Sequence, residues 1–161
     1  MMKKVNIYTY STAKSPKATK CEVVGYVVAC ETSKGEATVS GILTVKDMTR
    51  YQSELYVLKK ALSRINTMCE LHIYTESEYV AAGIETWLAE WKANNWLTKR
   101  KEAVKNSKEW QELDALVQKH GHELVFHVKE KHAYKKWFIE NLEKEKQKCL
   151  KNLESSTQQK K

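Results

Sequence analysis

Four of the chain's five tryptophans lie between Trp87 and Trp110, in the stretch WLAEWKANNWLTKRKEAVKNSKEW. Six basic residues share it (Lys92, Lys99, Arg100, Lys101, Lys105 and Lys108) against three acids, Glu90, Glu102 and Glu109. Large rings at helical spacing brace helices, and Trp87 and Trp91, four residues apart, fall on one helical face where packing is the ordinary outcome. Clustered Lys and Arg do not enter a core unless paired, so they stay solvated and attract polyanions such as a nucleic acid backbone. The run Lys99-Arg100-Lys101 is solvated under either reading. Spacing alone does not choose between a merely solvated face and a phosphate-binding one.

Thiol chemistry is the other candidate, and it has little support. Cys21, Cys30, Cys69 and Cys149 are scattered, with no C-x-x-C and no histidine at metal spacing. Reduced structural thiols in a cytosolic protein are therefore expected. A chain of 161 residues has the size of one domain with a real core, and its net charge of +8 favours polyanionic partners. No apolar run approaches the ~18 residues of a membrane span, and the polar start MMKKVNIYTYSTAK does not read as a signal peptide. A cytoplasmic protein without membrane contact follows as the expectation.

The elements that must position these residues are legible from periodicity. KKVNIYTY alternates as a strand, CEVVGYVVACE is a continuous apolar run suited to a central strand, and EATVSGILTV follows a short turn. From Thr49 the period becomes helical, with Leu55, Leu58, Leu62 and Ile65 on one face and TRYQ as a capping box. CELHIYT is a fourth strand, and Ser77 opens a helix, SEYVAAGIETWLAEW. NSKEWQELDALVQKH is a helix with Asn106 as its cap, HELVFHVKEK a fifth strand, and YKKWFIENLEKEKQKCLKNLE a final amphipathic helix. SSTQQKK reads as a frayed tail. The order predicts an α/β fold, with three antiparallel strands, two parallel additions, and helices on both faces of a mixed five-stranded sheet.

This order, with the string IYTESEYVAAGIETWLAEWKANNWLTKRKEAVKNSKEWQELD, resembles the type 1 ribonuclease H family, whose members cut the RNA strand of an RNA·DNA hybrid. The spacing of Trp87, Trp91 and Trp96, the VKN at 104–106 and Trp110 carry the likeness, which extends over roughly residues 4–145. It implies an RNase H-like domain at 1–145 containing a basic handle at 87–110, followed by a helical extension and polar tail at 146–161. It also implies that Trp87, Lys99, Arg100, Lys101 and Lys105 serve nucleic acid binding. Thr49 and Asn106 match the family's pocket for a DNA phosphate; both are also ordinary helix caps, and free N–H groups at a helix start attract phosphate in any case.

The family's chemistry uses four carboxylates around two Mg²⁺ ions. Here the resemblance departs from the pattern. Tyr10 in IYTYS stands where the first aspartate belongs, and a neutral phenol is a poor Mg²⁺ ligand. Glu54 matches the helix glutamate. Glu76 replaces an aspartate, and its extra methylene shifts the carboxylate by roughly an ångström, enough to cost ~100-fold at a reacting centre. Glu140 takes the last acidic position, with Asn141 the competing choice, and His132 corresponds to the mobile histidine of product release. Arg50 and Tyr51 stand where asparagines usually read the minor groove. Each site also has an ordinary reading: Glu54 as a solvated residue, Glu76 beside a helix start, Glu140 paired with Lys144, His132 in an exposed loop.

The resemblance thus implies a monomer that binds an RNA·DNA hybrid or double-stranded RNA, recognised by shape and backbone. Cleavage would be lost or much weakened, and Mg²⁺ or Mn²⁺ would be held weakly, if at all, by Glu54, Glu76 and Glu140. Two alternatives stand beside it: an active metal-dependent hybrid ribonuclease, and a protein-interaction scaffold.

Overall fold

The computed structural model describes residues 2–159. Five strands, β1 (Lys3–Ser11), β2 (Glu22–Thr32), β3 (Gly35–Val45), β4 (Cys69–Thr75) and β5 (Glu123–Val128), form one sheet in the order β3-β2-β1-β4-β5. β1 pairs antiparallel with β2, and β2 with β3, while β4 is parallel to both β1 and β5. The helices are α1 (Arg50–Leu62), α2 (Glu78–Ala82), α3 (Leu88–Ala93), α4 (Ser107–His120) and α5 (Lys135–Gln159). The expected mixed sheet with helices on both faces is therefore present.

Alternation along each strand divides two cores. Val5 and Ile7 of β1 face the layer of α1 and α4, where Leu55, Leu58, Leu62, Trp110 and Leu113 are buried with them. Tyr8 faces the other way, into a smaller core with Val23, Val27, Ala29, Phe138 and Leu142 under α5. β2 reads as a continuous apolar run because it is covered on both sides. Fully burying side chains such as Phe138 and Leu142 stabilises by roughly 1.5–3 kcal/mol each. α5 sits close on β2 at Gly25, where a Cβ would lie 2.9 Å from Leu142 Cδ1.

The segment expected as one helix from Ser77 is interrupted. A π turn, Gly83–Trp87, separates α2 from α3. Gly83 rests on the ring of Trp110, so near that a Cβ would fall 2.1 Å from Cη2. The Trp110 indole is fully buried. The helix therefore accommodates a large ring beneath it by widening one turn, a constraint that no local periodicity carries.

Two expectations are corrected at the C-terminal helix. Cys21 and Cys149 form a disulfide across 128 residues of sequence, leaving Cys30 and Cys69 as free thiols. The scattered spacing concealed this pairing, because only the fold brings α5 beside the start of β2. The argument from reduced thiols to a reducing compartment therefore does not hold. The helix also continues past Glu154 to Gln159, through residues expected as a frayed tail. Residues 160 and 161 of that tail lie outside the described residues. Among the described residues no helix is long and apolar enough to cross a membrane.

Beside the disulfide, Lys146 Nζ lies 2.6 Å from Glu22 Oε1, and the Glu22 side chain is only 5% exposed. Removing the lysine leaves a buried carboxylate without its partner. Lys146→Met should lower unfolding stability by about 3 kcal/mol, and adding Glu22→Leu should restore most of it. Urea denaturation of both variants, with the disulfide intact, checks this.

Candidate functional site

Parallel pairing of β1 with β4, in register from Lys3↔Cys69 to Tyr8↔Tyr74, brings the C-terminal ends of both strands to the same edge. Tyr10 lies near the end of β1, Glu76 follows β4, and Glu54 comes from the second turn of α1. All three line one small cleft with Lys14, Arg50 and Ser77. Its free volume is about 30 Å³, space for one or two water molecules. The α1 start is fixed by a complete capping box between Thr49 and Gln52, as expected. Ser53 donates to Arg50 O at 2.7 Å, which leaves the Ser11 hydroxyl to donate to Ser53 Oγ at 2.8 Å. That bond holds α1 to the end of β1.

The two glutamates of the cleft are each held by a cation of the chain itself. Arg50 Nε donates to Glu54 Oε1 at 2.8 Å, and Lys135 Nζ lies 2.9 Å from Glu76 Oε1. The Glu76 hydrogen bond pushes the Lys135 ammonium above its ordinary range. Tyr10 stacks on Phe138 with centroids 6.0 Å apart, and Lys14 Nζ sits 4.9 Å from the Tyr10 ring centre. Glu54 Oε2 is buried and has no partner. That single orphaned oxygen is the one feature suited to a metal ion. Against it, one oxygen of each glutamate is already engaged, the Tyr10 side chain beside them is a phenol, and no group of three His, Cys, Asp or Glu among the described residues could hold an ion. The residues present do not fit a two-ion centre.

Glu140 is not brought into this cleft. It is exposed on α5 and lines a separate shallow groove with Lys131, His132, Lys135 and Ile139. Its neighbour Asn141 turns back to donate to Trp137 O at 2.8 Å. His132 is half-buried rather than exposed, with its ring 4.8 Å from Tyr8, and its Nδ1 accepts from Tyr134 N–H at 3.1 Å. Burial is the larger influence on its imidazole and pulls the pKa below 6.5, with Glu76 opposing and Lys135 assisting.

Asn106 requires a correction. It precedes α4 but has a left-handed backbone (φ 61°), and its side chain makes no cap bond. Its Nδ2 donates instead to the Tyr79 hydroxyl oxygen at 3.3 Å, which also accepts from Trp110 Nε1 at 3.0 Å. Tyr79 stacks on Tyr51 at 3.9 Å, so Asn106 is connected through two rings to the α1 start that Thr49 caps.

The basic segment forms a closed turn. α3 ends in a Schellman motif, with Trp96 N–H donating to Trp91 O at 2.7 Å and Asn95 N–H to Lys92 O at 3.4 Å. Thr98 N–H then donates to Glu102 O at 2.7 Å, and Lys101 N–H to Thr98 O at 2.8 Å. Lys99, Arg100, Lys101 and Lys105 are all exposed around this turn. Trp87 is 38% exposed, while Trp91 packs 5.4 Å from the buried Trp110 ring. Lys14 and Lys135 escaped the sequence reading; Arg50 was noticed only as a departure, although its four-residue spacing to Glu54 signals an ion pair.

A family model described as RNase H matches residues 2–136. The chain belongs to the RNase H family. Over 76 residues it is 48% identical to proteins named Ribonuclease H from Francisella tularensis subsp. novicida and Francisella philomiragia. That match covers 47% of this chain and 50% of each relative, so the chain spans about half the length of the curated relatives it matches. Among solved structures, LC9-RNase H1, a type 1 RNase H with the type 2 active-site motif, aligns with a TM-score of 0.66 at 18% identity, over 80% of this chain and 64% of that one. LC11-RNase H1 in complex with RNA/DNA hybrid aligns at 0.59 and 18% identity, over 87% and 97%. At this identity these likenesses speak to the fold.

His132 supplies a test of the site's environment. Because its folded pKa is lowered, the stability associated with its neutral form is complete well above pH 6.5 and declines as pH falls through 6.5 towards the lowered value. Its NMR titration should have a midpoint below 6.5, and His132→Asn should reduce the loss of stability between about pH 7 and 5.

Proposed function

We propose that this protein binds an RNA·DNA hybrid or another A-like duplex through its basic turn, with hybrid cleavage lost or much weakened. The observation that carries the reading is an asymmetry of charge. Lys99, Arg100, Lys101 and Lys105 are exposed on a turn closed by backbone bonds, with no ion pair among the described residues. The cleft glutamates, in contrast, are occupied by Arg50 and Lys135. A held turn presents its charges with little ordering entropy left to lose on binding, which suits backbone recognition. The relative described as a complex with RNA/DNA hybrid supports the choice of duplex. Thr49 and Asn106 would contribute at the α1 and α4 starts, where free N–H groups favour phosphate.

One observation favours the contrary reading of an active metal-dependent hybrid nuclease. Glu54 Oε2 is buried, unpartnered and at the cleft, as a ligand oxygen would be. A labelled hybrid incubated with Mg²⁺ or Mn²⁺ decides between them. Retention without cleavage is expected; robust cleavage abolished by Glu54→Gln would establish the nuclease.

Neutralising Lys99, Arg100, Lys101 and Lys105 together should flatten the slope of log K against log salt by about 3–4 units. An unchanged slope would remove the handle from the interface. Asn106→Ala loses the Tyr79 contact and places alanine in a left-handed backbone, so it should destabilise by about 1 kcal/mol. It should weaken hybrid binding beyond that effect when affinity is measured well below the melting temperature.

A further inference from the structure

We propose that the cleft at the ends of β1 and β4 is a metal-independent site for a backbone phosphate, with Arg50, Lys14 and Lys135 in place of divalent ions. This rests on the duplex-binding reading above and specifies what the former catalytic position does within it. Lys14 and Arg50 line the cleft, and Lys135 reaches its Glu76 from the neighbouring groove, so three cations stand against the two carboxylates of Glu54 and Glu76. The local formal charge is therefore +1, where an uncompensated carboxylate cluster would repel phosphate. An anion can approach such a site without a metal to bridge it.

The geometry arranges the cations for this use. Each has an anchor that consumes only part of its donor capacity. Arg50 gives Nε to Glu54, lies 5.8 Å from the Tyr51 ring centre and stays 41% exposed, with the terminal nitrogens of its fork free of hydrogen-bond partners among the described residues. A guanidinium offers five donors in a planar arrangement that matches two phosphate oxygens. Lys135 uses one of its three N–H donors on Glu76 and is 46% exposed. Lys14 has only a long 3.5 Å bond to Ser11 O and its position over the Tyr10 ring. Glu54, Glu76 and Tyr10 are positioning residues in this arrangement. They hold the cations at the cleft and do not bind the phosphate themselves. The Tyr10 ring is itself fixed by Phe138, so this third anchor is part of the core under α5.

The test compares hybrid affinity and salt slope in EDTA and in Mg²⁺ for the unmodified protein, Lys14→Met, Arg50→Gln, and the pair together. Lys14 is exposed, so its replacement should leave the fold intact; Arg50→Lys serves as the second variant, because it preserves the charge beside Glu54 if Arg50→Gln fails to fold. The unmodified protein should bind equally, within about twofold, in EDTA and Mg²⁺. Each neutralised cation should flatten the slope by about 0.9 units and weaken binding by about tenfold, whereas Arg50→Lys should keep the slope. Absence of hybrid binding by the unmodified protein would defeat the duplex-binding reading. Normal binding with slopes unchanged in Lys14→Met and in the double variant would overturn the phosphate site alone. So would affinity that collapses in EDTA and returns with Mg²⁺.

Discussion

A carboxylate drawn away from water needs a positive partner within a few ångströms, and in this protein Arg50 and Lys135 supply it for Glu54 and Glu76. Three elements meet through these pairs. Lys135 is the first residue of α5, so its bond ties the start of that helix to the end of β4. Arg50 is the first residue of α1, where the Thr49 capping box fixes the backbone and the Ser11–Ser53 bond secures the helix to β1. An external ion would require the same carboxylates to be left open. Internal pairing instead makes the cleft part of the folded framework, neutral enough to persist when no ion is bound.

A second line of contacts connects that cleft with the basic turn. Tyr51 stacks on Tyr79, Tyr79 packs 5.4 Å from Trp110, and Trp110 lies 5.4 Å from Trp91, which in turn is 6.4 Å from Trp96. Rings have few rotamers to lose and large areas to bury, so such a chain is stiff over its length. The π turn at Gly83 belongs to it, because the helix has to clear the Trp110 indole. The tryptophans therefore act chiefly as a brace, and the lysines they hold outward remain in water. The turn and the cleft are thus connected through one continuous line of packed rings.

What could be read in the chain follows the range of the interactions. The strands, the Thr49 capping box and the helical face of Leu55, Leu58 and Leu62 are set by neighbours within a few residues, and they are where periodicity placed them. That Tyr10 offers a phenol and no carboxylate was equally plain, since residue type alone shows it. Asn106 misled because a cap residue and a left-handed Asn look alike in sequence; only the backbone decides where the amide points. The Lys135–Glu76 pair, the Cys21–Cys149 bond and the seat of Trp110 on Gly83 each depend on tertiary approach, which leaves no periodic trace. His132 became half-buried for the same reason, through rings contributed by β1, β4 and α5.

The bond between Cys21 and Cys149 closes a ring that contains β2, β3, β4, β5, the basic turn and half of α5. The exposed Lys99-Arg100-Lys101 tip, the sort of site that trypsin-like proteases favour, lies within that ring. A cut there does not yield two molecules. The piece with β1 to β4 and the piece with α4, β5 and α5 stay covalently joined at the opposite side of the sheet. Their reassociation is then first order, at an effective concentration set by the ring and independent of dilution. Clipping this tip in an oxidised sample would open the basic turn while leaving the two-sided core to re-form in place.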